Sequence, residues 1–159
     1  MKNFLKFLII VFVASIFNYN SIYAAGSIDS NYSTGFYKQG KKLVLRAKKL
    51  EKKNKKEKAE KIYLKALKIF EKAYAKDKKN ADILNYLGYT LRKTGDFEKA
   101  EKFYLMGLKL DVGHLGINEY LGELYVQTNR IELAKKRLEV LSGCECEEYE
   151  ELKELIENN

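Results

Sequence analysis

From Phe36 onward, apolar residues recur at spacings of three and four, and lysine and glutamate fill most of the positions between them. Such spacing lines up apolar side chains on one stripe of an α-helix. Proline, which interrupts helices from within, does not occur anywhere in the 159 residues. The pattern therefore predicts an all-α chain. Its helices are expected at about 36–54, 56–77, 81–93, 97–110, 115–127, 131–141 and 147–157.

Short polar segments mark where these helices end and begin. Thr94-Gly95 closes the third helix, because glycine accepts the positive φ of a tight turn. Asn129 has the same role 34 residues later, since asparagine is the next most tolerant residue in that conformation. Asp96 can accept the free backbone N–H groups of the following first turn. We therefore expect helical pairs with turns at fixed places.

A period of 34 residues relates the middle of the chain to the segment that follows it. Leu87-Gly88, Ala100 and Tyr104 recur as Leu121-Gly122, Ala134 and Leu138. A fixed period of this length is typical of two-helix units that bury their apolar faces by stacking on one another. Gly88 and Ala100 are expected where two helices cross too closely for longer side chains.

These residues resemble the tetratricopeptide repeat, which has Leu-Gly, alanine and aromatic residues at set positions of a 34-residue helical pair. The resemblance implies a tetratricopeptide-like helical-hairpin array over 36–159, with about three hairpins and a capping helix. Its parts are a degenerate first repeat 36–80, repeats 81–114 and 115–148, and a C-terminal helix 147–157. In the first repeat Lys53 and Asn54 fall where Leu-Gly is expected, and its helices are elongated.

Residues 1–24 show a different pattern, which is typical of an export signal. Lys2 and Lys6 precede an apolar run over 7–17, and a small-residue segment follows it. We expect cleavage after Ala24, with Ala25 as the alternative site, and a mobile leader over 25–35. A retained membrane anchor competes with this interpretation, although about 20 apolar residues are needed to cross a bilayer.

Three short segments resemble a group of small exported bacterial tetratricopeptide proteins. They are N-Y-L-G-Y at 85–89, E-Y-L-G-E-L-Y at 119–125 and C-E-E-Y at 146–149. This resemblance implies a periplasmic location, and no defined activity comes with it.

Charge is distributed unevenly along the sequence. Residues 38–79 hold 18 Lys/Arg and 5 Asp/Glu, whereas 143–159 hold one lysine and seven glutamates. The basic segment could contact an anionic envelope lipid or polymer. The alternative is a solvated helix face. No nucleic-acid motif is present, and an exported protein is a poor candidate for binding nucleic acid.

The residues that could carry chemistry are few. Cys144 and Cys146 could form a structural disulfide, remain thiols or act in redox chemistry. His114, the single histidine, lies about 30 residues away, so a four-ligand zinc site is not expected. It has no catalytic partners in any recognisable pattern either. The sequence therefore predicts no catalytic residue, metal or cofactor.

The repeat register assigns a candidate partner-binding groove to the concave face. The positions expected to point there are Asp82, Asn85, Tyr89, Arg92, Glu119 and Glu123. Family members that hold a peptide's C-terminal carboxylate use lysine, asparagine and arginine, and the two glutamates largely remove such a clamp. An extended peptide with apolar and basic residues is the better expectation, with Tyr89 stacking on it. The alternative is that Tyr89 packs against its neighbours.

These observations favour a non-enzymatic adaptor that holds a protein or peptide in its groove. Two alternatives come from other classes of protein. One is an envelope-associating module that uses the lysine-rich first hairpin, and the other is a thiol-redox helper that uses Cys144 and Cys146. The sequence does not indicate an oligomeric state.

Overall fold

A computed structural model describes residues 31–159, which form helices joined by short turns and contain no strand. The all-α prediction is therefore confirmed. No helix in this part of the chain combines the length and the apolar character needed to cross a bilayer. The helices are α1 (31–51), α2 (Lys56–Lys76), α3 (Ala81–Lys93), α4 (Phe97–Leu108), α5 (Leu115–Gln127), α6 (Ile131–Leu141) and α7 (Glu147–Glu157).

The first helix differs from its prediction. Residues 31–35, which the sequence assigns to a mobile leader, are helical. The small residues Ser33 and Gly40 are buried, and they let α1 pack closely on its neighbours without adding to the apolar pattern. The predicted signal 1–24, its cleavage site and the remainder of the leader lie outside the described residues.

Each hairpin turn contains one residue with positive φ. Gly95 has a φ of 86° and Asn129 a φ of 56°, as predicted, and Asn54 has the same value in the first hairpin. Asp96 accepts a hydrogen bond from the backbone N–H of Lys99 at 3.2 Å and so caps α4. The turn residues thus mark equivalent places in three successive hairpins.

The spacing of those turns corrects the register of the first repeat. Gly95 and Asn129 are 34 residues apart, but Asn54 and Gly95 are 41 apart. The seven additional residues amount to about two helical turns, and they lengthen α2 to 21 residues against 12 for α4. Lys53 and Asn54 therefore lie in the hairpin turn, which explains why they depart from the Leu-Gly pattern.

The helices pack through small residues placed opposite large ones. A Cβ atom added at Gly88 would lie 2.5 Å from the Tyr104 ring, and one at Gly40 would lie 2.5 Å from Phe70. At Gly122 the opposing residue is Leu152 of α7, at 2.4 Å. The capping helix thus fits onto α5 and covers the end of the array, as an open stack requires.

A candidate binding cleft on the concave face

An open cleft of about 440 Å³ lies on the concave face. The helices α1, α3 and α5 line it, together with the turn before α5 and the first turn of α7. We call it the concave cleft. Its lining residues are Tyr37, Lys41, Asp82, Asn85, Tyr86, Asp111, Gly113, His114, Leu115, Gly116, Glu119, Tyr120 and Glu148.

Three of the six predicted groove residues line this cleft. The Asp82 side chain is 60% exposed at its rim, whereas Asn85 and Glu119 are buried in its wall. The other three, Tyr89, Arg92 and Glu123, lie outside the lining. The structure therefore brings only half of the predicted set into one cleft.

Tyr89 is a packing residue. Its side chain is 4% exposed, and its ring centroid lies 4.8 Å from that of Tyr120 and 5.8 Å from that of Tyr63. The hydroxyl groups of Tyr63 and Tyr89 are 3.4 Å apart. The Lys48 ammonium lies 5.2 Å from the Tyr89 ring centroid. The expectation that Tyr89 stacks on a bound peptide is therefore not supported, and the alternative of packing is.

Arg92 and Glu123 form an internal ion pair. Arg92 Nη1 lies 2.7 Å from Glu123 Oε2, and the arginine side chain is only 2% exposed. A buried arginine needs such a partner, because an uncompensated charge in the interior is costly. Glu123 is consequently occupied by the protein itself, which corrects the expectation that it pairs with basic groups of a partner.

Glu119 has a strongly altered acidity. Burial raises the pKa of its carboxyl group to about 9. A hydrogen bond with Glu151 and the nearby negative charges of Glu123 and Glu148 act in the same direction. Glu119 therefore carries a proton at neutral pH. The side of the cleft that α5 and α7 form, which we call the acidic wall, therefore carries fewer negative charges than its number of glutamates suggests.

Tyrosines form the opposite wall of the cleft. The Tyr86 ring stacks on Phe70 with centroids 5.0 Å apart and meets Tyr37 edge to face at 5.6 Å. The Lys41 ammonium lies 5.3 Å from the Tyr37 centroid and 5.7 Å from that of Tyr86. This wall therefore already favours a positive charge.

His114 has a structural role at the edge of the cleft. Its Nδ1 accepts a hydrogen bond from the backbone N–H of Ile117 at 3.2 Å and caps α5. Its Nε2 lies 3.5 Å from Asp82 Oδ1. Both ring nitrogens of His114 therefore have structural contacts within the protein.

Sequence reasoning missed the tyrosines of the cleft, although a signal for two of them exists. Tyr86 and Tyr120 are 34 residues apart, and each directly precedes a Leu-Gly pair. Their recurrence at the repeat period places them on the same face of α3 and α5. Glu148 has no such signal, because it reaches the cleft only through the docking of α7.

Two features outside the cleft also bear on function. Cys144 and Cys146 are joined by a disulfide just before α7, with their Cα atoms 5.2 Å apart. On α2 five exposed lysines follow one another at alternating spacings of three and four, and we call them the lysine stripe. They are Lys58, Lys61, Lys65, Lys68 and Lys72.

Comparison with known proteins agrees with this architecture. The model of the family described as tetratricopeptide repeat matches residues 49–111. No curated protein matches the sequence. Among solved structures, the chain is similar to the Yersinia enterocolitica type III secretion chaperone SycD in complex with a peptide of the translocator YopD. They share 18% identity over 74% of this chain and 86% of that one, with a TM-score of 0.52.

Two further structures are similar at comparable levels. The Arabidopsis OM64 TPR domain shares 12% identity over 77% of this chain and 98% of its own, with a TM-score of 0.55. The first TPR of Spaghetti (RPAP3) bound to an HSP90 peptide shares 19% identity over 76% and 93%, with a TM-score of 0.53. The 34-residue period, the stacked hairpins and the family match over residues 49–111 together show that this chain has the fold of tetratricopeptide repeats.

Proposed function

We propose that this protein is a non-enzymatic adaptor that holds a protein or peptide partner in its concave cleft. The observation that carries the proposal is the cleft itself, which is open to solvent and lined by aromatic and polar side chains from four helices. Two structurally similar proteins, SycD and Spaghetti, have peptides bound. The partner of this chain would meet its contacts on α1, α3, α5 and α7.

We place the adaptor in the periplasm. This part of the proposal depends on the export-type pattern of residues 1–24. The Cys144–Cys146 disulfide is of a kind that persists in oxidising compartments. Fractionation of cells that express the full-length sequence tests the location, and retention of an uncleaved chain in the cytoplasm would contradict it.

A variant with a filled cleft tests the binding function. Gly116 lines the cleft, and a Cβ added there would meet the Asn85 amide at 2.9 Å. Gly116→Leu should therefore occupy the cleft. The matched control is Gly35→Leu, because no atom lies within 4 Å of a Cβ added on that part of α1.

Protein produced from the full-length sequence is used to select binders from a random dodecapeptide display library. The function is supported if wild type and Gly35→Leu retain the selected peptides and Gly116→Leu loses them. The circular dichroism of Gly116→Leu must show unchanged helix content. Equal retention by all three proteins would show that the cleft is not the binding site.

A second candidate function is association with an anionic envelope surface through the lysine stripe. Its five lysines form no ion pair with another residue in 31–159, and Leu64, which is 44% exposed, lies among them. A patch of this kind can attract acidic lipids at roughly 1 kcal/mol per basic residue.

Co-sedimentation with vesicles of phosphatidylglycerol and phosphatidylcholine tests this candidate. The triple variant Lys61→Gln, Lys65→Gln and Lys68→Gln should lose binding. The matched control replaces Lys102, Lys109 and Lys136, which are exposed on α4, at its C-cap and on α6, and so removes the same charge. An equal loss in both variants would show a net-charge effect and contradict a specific role of the stripe.

A further inference from the structure

We propose that the concave cleft receives a cationic side chain, arginine or lysine, of the bound peptide. This inference rests on the proposed peptide-binding function and names the chemistry of its occupant. It follows from the acceptors that converge on the cleft, from one buried acceptor without a partner, and from the aromatic wall opposite them.

The cleft lining is rich in groups that accept hydrogen bonds or attract cations. Four carboxyl groups belong to it, those of Asp82, Asp111, Glu119 and Glu148, against a single lysine, Lys41. A guanidinium or ammonium group is all donor and carries a positive charge. An anionic group would meet these carboxyl groups and find only Lys41 as a charged partner. The lining therefore selects against a peptide carboxylate.

Asn85 adds an observation that is independent of the acidic residues. Its side chain is 95% buried in the cleft wall, and its Oδ1 has no hydrogen-bond partner within residues 31–159. A buried carbonyl oxygen without a partner destabilises the protein, because it has lost its hydrogen bonds to water. This oxygen is covered in the present conformation, so an N–H donor that enters the cleft would satisfy it once the Asn85 amide turns toward the cleft. The nearby carboxylates favour a charged donor.

The tyrosine wall shows that a cation is accommodated at this place. Lys41 already lies near the rings of Tyr37 and Tyr86, at 5.3 and 5.7 Å from their centroids. Tyr120 also lines the cleft, whereas the two cations near its ring, Lys48 and Arg92 at 5.7 Å each from its centroid, do not. Tyrosine faces suit the flat guanidinium group of arginine in particular.

A bound cation would also reduce the electrostatic repulsion among the glutamates of the acidic wall. Glu119 retains a proton because it is buried close to Glu151, Glu123 and Glu148. A positive charge beside it would compensate these neighbours and let the carboxylate form. The cleft thus has a group that becomes a stronger acceptor once a cation has entered.

The test uses peptides from the display selection described above, synthesised in pairs. Each arginine is replaced by citrulline, which has the same shape without the charge, and each lysine by norleucine. Binding to protein produced from the full-length sequence is measured by fluorescence anisotropy. We expect one basic position in each cleft-dependent peptide, and about tenfold weaker binding when its charge is removed.

Two protein variants locate the cation. Glu148 lies in the cleft lining, so Glu148→Gln should weaken binding of the arginine peptide by about tenfold. Binding of the citrulline peptide should not change. Glu150→Gln removes the same charge from an exposed position of α7 outside the cleft, and should leave both unchanged. Cleft-dependent peptides without any charge requirement would overturn this inference and leave the adaptor function standing. A selection without cleft-dependent peptides would overturn both.

Discussion

A side chain at position 88 would collide with a fully buried ring. Tyr104 is fully buried, and its ring lies 2.5 Å from the place of a Cβ atom on Gly88. We expect Gly88→Ala to lower the free energy of unfolding by about 1–3 kcal/mol, because the ring cannot move without disturbing α3 and α4. Urea denaturation measures the change.

Gly35→Ala is the matched control for this substitution. It also replaces a helical glycine, but no atom lies within 4 Å of the added Cβ. Alanine should therefore stabilise α1 by roughly 0.5–1 kcal/mol through helix propensity alone. A lower free energy of unfolding for Gly88→Ala and a higher one for Gly35→Ala would establish close packing at Gly88. A gain in stability at both positions would refute it.

Glu119 should make the stability of the protein depend on pH. Its pKa is raised from 4.5 to about 9 in the folded state, so folding takes up a proton between these values. The free energy of unfolding should consequently fall as the pH rises through that window. Glu119→Gln cannot ionise, and we expect it to be more stable than wild type at about pH 9 and similar to it at about pH 5.

Thermal unfolding at a series of pH values checks this expectation. Glu150→Gln serves as the control, since it also replaces a glutamate with glutamine, at an exposed position of α7. It should leave the pH slope unchanged. A Glu119→Gln variant with the slope of wild type would show that the carboxyl group is ionised in the folded protein.

Residue identity alone could not reveal these environments. The repeat register assigns Asn85 and Glu119 to the concave side, but it does not tell what packs over that side. The long α1 contributes Lys48 beside Tyr89, and α7 contributes Glu151 beside Glu119. Both contacts join segments far apart in the sequence, so no local pattern predicts them.

Among the elements, α7 buries one side chain completely in the array. Leu152 is fully buried, and its methyl groups occupy the notch left by Gly122 on α5. Leu152→Ala should cost about 2–5 kcal/mol, because it removes this contact and leaves a cavity. We expect the amides of α7 to exchange with solvent faster than those of α3 and α4 in this variant.

Hydrogen exchange with mass spectrometry measures that effect, and Glu154→Ala is the control on an exposed position of the same helix. The control should change stability by less than about 0.5 kcal/mol. Uniformly faster exchange over all helices would indicate instead that α7 and the rest of the array unfold as one unit.

The helices themselves were largely predictable, because their ends carry local signals. Gly95, Asp96 and Asn129 mark turns and caps by their own backbone chemistry, and α2 to α7 lie within about two residues of their predicted bounds. The start of α1 was missed, since small residues such as Ser33 do not extend an apolar stripe. The seven residues inserted before Gly95 do not disturb the apolar pattern either. They amount to about two helical turns, so the apolar stripe continues on the same face of α2.

At the scale of the whole molecule, charge separates the two ends of the array. The basic residues of 38–79 lie on the first hairpin, and the glutamates of 143–159 lie on and before the capping helix. Lys41 and Glu148 both line the concave cleft, so the two ends approach each other there. Attraction between exposed charges elsewhere on the two ends is screened at moderate salt, because the Debye length is about 10 Å at 0.1 M. Repulsion within the lysine stripe acts over a shorter distance, since residues three and four apart are neighbours on a helix at roughly 5–6 Å.

The first hairpin should therefore become more stable as salt is added. Screening weakens the repulsion among the lysines of the stripe more than it weakens contacts in the interior, such as the Arg92–Glu123 pair. We expect the unfolding temperature to rise between about 0.02 and 0.5 M sodium chloride. The variant with glutamine at Lys61, Lys65 and Lys68 should begin at a higher temperature and respond less to salt. The variant changed at Lys102, Lys109 and Lys136 keeps the stripe and should follow wild type, whereas an equal response of both variants would assign the effect to net charge.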